Sequence, residues 1–493
     1  MLGFVRQRLP ATGYGRWPLQ TTALALELGG TRVMLCGVDI AGIGEPVVSR
    51  LVERVAEATG ADPAGVMLNW NHTHLAPLGG YWGGDLWGVP DQERDERILA
   101  YAAVLQDKVV SVCRLAVEAL EPARVVWGTG EADLAVNRRE RAGETTILGW
   151  NPENLIDNQV TVLQARRPDE SVIATVVSYG CHPVTTGYDM FVYSADYPGP
   201  MREVVRAVTG GECVFLQGSA GNVLPRVAFT HTEEEAERLG RRLAVEALHA
   251  VADRRSRPVR MVRTAEGSVT PISAYRRVEL DGEPPALAAV RERVRFPLLP
   301  HPALESVIAD RAQWEAKLGQ AIEAGDVGAQ KIAFYHASWA RKTEAALRDG
   351  TAPTATEGWI HAIRIGSGVI ATGPGETFTE IGMAVKERGP GRPTLYCGYT
   401  NGLASYFPTA AEYRFGGYEA DYGCRSVGLP SHVAPECEQI LTETAVRLAE
   451  RLFPEATPWE GSRGWVASGS VPVLAPEPPL EHPAAASAQG DPR

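Results

Sequence analysis

The chain has 493 residues, 44% of them hydrophobic and 22% charged, with a formal net charge of −12. That length can bury one large core or two intimate ones. The acidic balance, without any lysine–arginine cluster, excludes nucleic acid or an anionic membrane as the main partner, and no apolar stretch reaches the ~18 residues that a transmembrane helix needs.

The first twenty residues lack the apolar core of a signal peptide, which predicts a cytoplasmic protein. Residues 21–27 and 32–37 read as a hairpin turned by Gly29-Gly30, and 47–58 has the apolar spacing of a helix. A strand over 65–70 then runs into Asn71-His72-Thr73-His74-Leu75-Ala76-Pro77. Alternate strand residues share a face, so His72 and His74 can offer two imidazoles to one point, as zinc sites require. Two histidines serving the surface or core are the plain alternative. The glycine-rich stretch 81–88 follows, with Trp82 and Trp87 as either an apolar substrate wall or a plug between layers.

A long helix is expected over 96–120, extended chain over 125–137 with a break near 128–130, and a strand pair at 159–165 and 172–178. The second strand ends at Cys181-His182-Pro183, which places His182 at a carboxyl edge, where α/β folds build sites. Cys181 points away from its neighbour and reads as buried packing. Ser194 and Asp196 precede a helix near 201–209 as caps, or Asp196 orients a ligating histidine. The strand 212–216 leads to Gln217-Gly218-Ser219-Ala220-Gly221-Asn222. Ser219 lacks the spacing of a nucleophile elbow and reads as structural.

Residues 233–251 read as helix, and 284–350 as a helical insertion, either a solvated helical hairpin or an element that caps the site or makes a contact in a homo-oligomer. Strands resume at 356–365 and 368–372, with Glu376 just past the second. A helix over 435–452 closes the domain, which spans 1–453. A Pro/Ala-rich tail, partly disordered, covers 454–493. The fold class is α/β, with mixed β-sheets flanked by helices. The seven cysteines form no Cys-x-x-Cys pair and are odd in number, as free thiols of a reducing compartment would be.

Taken in order, the blocks at 71–77, 178–184, 217–226, 373–378 and 400–409, followed by Glu412-Tyr413 and Tyr418-Glu419, resemble the neutral/alkaline ceramidase family. The resemblance runs from about residue 22 to 453, with a diverged middle. It implies a ceramidase catalytic-domain fold and a zinc ion (Zn2+) held by His72, His182, Glu376 and Tyr406. It also implies that His74, Arg138 and Tyr418 serve the reacting group as acid/base or oxyanion partners. Two imidazoles, a carboxylate and a weak phenol leave room for a water. Read without the resemblance, Tyr406 could equally be core, His74 a core histidine, Arg138 a surface ion-pair residue and Tyr418 a packed aromatic.

The chain departs from the family at Leu224, where ceramidases have a serine, and at Asn222, where they have an aspartate. The family's secretion signal and C-terminal immunoglobulin-like domain are also expected to be missing. The expected activity is therefore zinc-dependent amide hydrolysis of a small N-acyl or lipid-like substrate other than ceramide. An amide-forming or acyl-transfer enzyme on the same zinc site is one alternative. A non-catalytic metal- or ligand-binding protein is the other.

Overall fold

A computed structural model of the protein describes residues 11–77, 92–257, 259–264, 274–280 and 285–454. The 81–88 stretch with its two tryptophans, and nearly all of the tail, lie outside the described residues.

Three sheets carry the fold. The first orders Thr21–Leu28, Thr31–Val38 and Val66–Trp70, with the last two parallel. Its hairpin turns on Gly29 (φ 56°) and Gly30 (φ 85°), because two successive positive φ values are what a tight two-residue loop of this hand needs. The second orders Glu212–Gln217, Val172–Tyr179, Gln159–Arg166 and Arg124–Glu131. The third orders Leu287–Pro297, Ala355–Ile365, Gly368–Thr372 and Thr394–Cys397.

Strand alternation sorts the side chains into layers. Val33, Leu35, Met67, Val176, Val214, Leu216, Ile363 and Ile370 share one core built from all three sheets. Their strand neighbours point the other way and meet helices. Met34, Cys36 and Leu68 pack with Leu51, Val55 and Val109 of helices Val47–Thr59 and Gln92–Glu118. Cys213, Phe215 and Val177 meet Met201, Val205, Leu243 and Ala247 of helices Pro198–Thr209 and Glu234–Ala252. Ala362, Val369 and Ala371 meet Ile381, Val385, Leu441 and Ala445 of helices Thr379–Arg388 and Cys437–Glu450. Strands buried on both faces explain the nearly unbroken apolar runs of the sequence.

Two expectations about local structure change. The break near 128–130 does not occur; Arg124–Glu131 is one strand, and the chain bends at 132–134. A Cβ on Gly128 would lie 2.2 Å from the Ala250 carbonyl oxygen, so the glycine admits a helix to close contact rather than ending a strand. The segment 284–350 is not helical throughout. Leu287–Pro297 is an eleven-residue strand paired along its whole length with Ala355–Ile365, and only Leu304–Glu323 and Val327–Arg348 are helices. Arg291, Glu292, Arg293 and Arg295 interrupt the apolar pattern of that strand and hide its period.

Candidate metal centre

The parallel strands Val66–Trp70, Val172–Tyr179, Glu212–Gln217, Gly368–Thr372 and Thr394–Cys397 all deliver their carboxyl ends to one place. Buried amides lace these ends together. The Asn69 side chain donates to the Gly398 carbonyl (2.9 Å) and accepts from the Gln217 amide (2.6 Å). Gln217 Nε2 donates to the carbonyls of Asn71 (2.9 Å) and Cys181 (2.8 Å). Asn401 pairs with strand Val66–Trp70 through its side chain, accepting from Leu68 N at 2.8 Å and donating to Val66 O at 2.7 Å. Six non-glycine residues among those described have positive φ. Four of them, His72 (68°), Asp196 (57°), Tyr399 (52°) and Asn401 (49°), lie in the loops around these strand ends. Such backbone is costly and collects where the surroundings dictate a side chain's direction.

His72 and His182 meet here. Each points Nδ1 at backbone carbonyls: His72 at Ala41 O (2.6 Å), His182 at Ala220 O (2.6 Å) and Val223 O (3.1 Å). A carbonyl only accepts, so Nδ1 carries the proton and Nε2 presents its lone pair. Both Nε2 atoms lie 3.3 Å from the same oxygen, Glu376 Oε2. His74 joins them, and ligand atoms of the three histidines all fall within 4.8 Å of one another. Glu376 begins a two-residue strand whose register sets it opposite Tyr406.

Electrostatics favour lone pairs at the centre. Burial and the nearby Arg138 guanidinium push His182 down to about 4, so its imidazole is neutral at pH 7. Burial alone would raise the Glu376 carboxyl; a proton on the facing imidazoles more than offsets it and holds the carboxyl well below the usual range. A carboxylate oxygen and converging imidazole nitrogens form an electron-rich point that suits a cation. The 3.3 Å separations match the edge of about 3.3–3.4 Å that a tetrahedron with zinc-like bonds of about 2.0–2.1 Å would have. The residues present therefore fit a zinc ion.

Arg138 and Arg139 form the other flank. Consecutive strand residues ordinarily face opposite ways, but a bulge between Asn137 and Arg139 breaks the register. Both arginines then reach Glu419: Arg138 Nε donates to Oε1 (2.6 Å) and Arg139 Nη1 to Oε2 (2.7 Å). Arg139 and Arg141 also share Glu412. With its Nε so anchored, Arg138 turns Nη1 toward His182 Nε2 (3.3 Å) and Nη2 toward the Tyr406 hydroxyl (3.4 Å). Arg138 is therefore buried and not a surface ion-pair residue. Tyr418 packs edge-on against Tyr406, ring centroids 5.6 Å apart. Burial and the Glu376 carboxylate push Tyr418 up to about 12, so its hydroxyl keeps its proton at neutral pH.

Asp196 does not orient a histidine. Its carboxylate accepts from the amides of Thr185 (3.3 Å), Thr186 (2.9 Å) and Tyr197 (2.8 Å), and backbone carbonyls hold His72 and His182 instead. Carbonyls carry no sequence signature, so the sequence could not point to them. Asn222 caps the helix after Glu376, accepting from Thr379 N (2.8 Å) and donating to Glu380 (2.9 Å), and Leu224 is buried in a strand beside Ala135–Ala142. Cys181 is buried, its thiol pushed up by desolvation. Tyr399 was missed by sequence reasoning. Its hydroxyl lies 3.5 Å from Glu376 Oε2 and its ring lies 4.6 Å from that of His72. Tyrosines are common next to strands, so nothing in the sequence singled it out.

The fold and the cluster define a mixed α/β protein with a histidine–carboxylate centre of metal-binding type at converging strand ends. No protein-family model matches the chain, and no curated protein matches it in sequence. Solved structures share the fold, two ceramidases among them. The neutral ceramidase from Pseudomonas aeruginosa matches with a TM-score of 0.61 and 20% identity over 94% of this chain and 72% of that one. A ceramidase complexed with C2 matches with a TM-score of 0.61 and 17% identity over 95% and 75%. The chain thus has the ceramidase fold.

Proposed function

We propose that this protein is a zinc-dependent hydrolase that cleaves an amide bond in a small N-acyl or lipid-like substrate. The observation that carries the reading is the convergence of His72 Nε2 and His182 Nε2 on one oxygen of Glu376, on a fold shared with ceramidases. His72, His182 and Glu376, with Tyr406 beside them, would hold the ion. Zinc in such a set polarises a carbonyl and lowers the pKa of water to about 7.

The chain's own groups do the rest. Arg138, whose desolvation is more than offset by Glu419, Tyr406 and Glu376 acting together, stays cationic and offers N–H donors at the centre. Tyr418 adds a neutral O–H donor. Both can stabilise negative charge that develops only in the transition state. His74, 4.9 Å from His72 ring to ring, is the group we assign to pass a proton to the leaving amine. Ceramide itself is not proposed as substrate. The departures at Asn222 and Leu224 concern a helix cap and a buried strand and leave the ligating atoms alone. Seven buried free cysteines support a reducing, cytoplasmic setting.

The test is zinc content of wild type beside the H72A/H182A and H74A variants, with N-acyl amides screened against each. We expect about one zinc per wild-type chain, none in the double variant, and zinc without turnover in H74A. A folded, zinc-supplied wild type that holds no metal would overturn the reading and leave a non-catalytic binding protein in its place.

A further inference from the structure

Glu376 Oε2 is the point on which the centre converges, and what fixes that oxygen matters as much as what meets it. Its second carboxylate contact after the imidazoles is Tyr399. The hydroxyl lies 3.5 Å away and the side chain is fully buried. The backbone at Tyr399 is left-handed (φ 52°), a conformation a bulky residue adopts only under constraint. The constraint is visible. Tyr399 N donates to Gly375 O and its carbonyl accepts from Trp70 N, both at 3.0 Å. The same residue thus joins the Glu376 turn to the strand that delivers His72. Its ring also packs on His72, centroids 4.6 Å apart.

We propose that Tyr399 is a positioning residue of the metal centre, donating its hydroxyl to Glu376 Oε2 and so setting the carboxylate's direction toward the imidazoles. It is a second tyrosine, distinct from Tyr406, whose hydroxyl faces Arg138. Carboxylates that ligate metals are commonly held by such a hydrogen bond, and losing it typically costs 10–100-fold in affinity. The inference rests on the zinc reading above.

Y399F removes the hydroxyl and keeps the ring against His72. Zinc affinity is measured by competition with a chelating dye for wild type, Y399F and Y406F, with urea midpoints taken to verify folding. The expected result is a folded Y399F whose zinc affinity is about 10–100-fold weaker than wild type. Wild type that binds zinc alongside a Y399F of equal affinity overturns the role of Tyr399 alone. Wild type that binds no zinc overturns the centre itself. Fe3+ loading supplies a further readout. A phenolate charge-transfer band present in wild type and Y406F but absent in Y399F would make Tyr399 a direct ligand, and so overturn the positioning role. Should Y399F fail to fold, Y399L, which has no donor, is measured in its place, and wild-type affinity there overturns the proposal.

Discussion

The two flanks of the centre are built on different principles. His72 and His182 are fixed by backbone carbonyls at the ends of buried strands, so the frame itself aims them. Arg138 is fixed by side chains, through a buried chain of alternating charge running Arg138, Glu419, Arg139, Glu412, which ends on the exposed Arg141. The first flank should survive substitution of most neighbours. The second depends on every member, because a buried charge that loses its partner has no water to turn to.

Breaking the arginine side should have the largest effect on stability. E419A leaves Arg138 and Arg139 without their shared carboxylate, and we expect a loss of about 3–5 kcal/mol in urea unfolding. A loss below about 1 kcal/mol, the scale of an exposed pair, would show that the chain is not acting as a buried network.

The histidine side should reveal itself through pH. His182 has a folded pKa of about 4, against about 6.5 for free imidazole. Between those values the unfolded chain binds the proton and the folded one does not. Metal-free protein should therefore lose stability as pH falls from about 6.5 to about 4, by about 3 kcal/mol from this residue. His361, also buried and pushed down to about 4, adds in the same direction. H182Q should flatten the slope of unfolding free energy against pH by about one proton. An unchanged slope would remove His182 from the account.

The smallest effect sharpens the claim that the frame aims the imidazoles. N69A leaves Gln217 N without its acceptor and takes away one of the two donors to Gly398 O, Thr400 being the other, for an expected cost of about 1–3 kcal/mol. If lacing of strand ends positions the site, N69A should also weaken zinc binding although Asn69 touches no ligand. Full stability loss with wild-type zinc affinity would separate the frame from the site.

Much of this was legible beforehand. Buried strands announced themselves as apolar runs, and Pro183 placed His182 beyond a strand end; His72 and His74, read from strand alternation, lie past the end of Val66–Trp70, and His72 is left-handed (φ 68°). The long helices followed from apolar spacing, and Gly60 (φ 69°) ends Val47–Thr59 as a left-handed cap should. The strand Leu287–Pro297 was not legible, because its charged residues find partners only across the fold, Arg291 with Glu53 and Glu292 with Arg447. Nor was the bulge that turns Arg138 and Arg139 to one carboxylate.

The sequence by itself determined which residue types are at hand: imidazoles at strand ends, a carboxylate after a glycine turn, and a run of arginines. Periodicity and punctuation are local, and local chemistry suffices to read them. Tertiary structure alone decided that carbonyls rather than Asp196 orient His72 and His182, and that Tyr399 stands beside the carboxylate. Those outcomes depend on sheet packing and on backbone groups that every residue carries alike, so no pattern of side chains could have announced them.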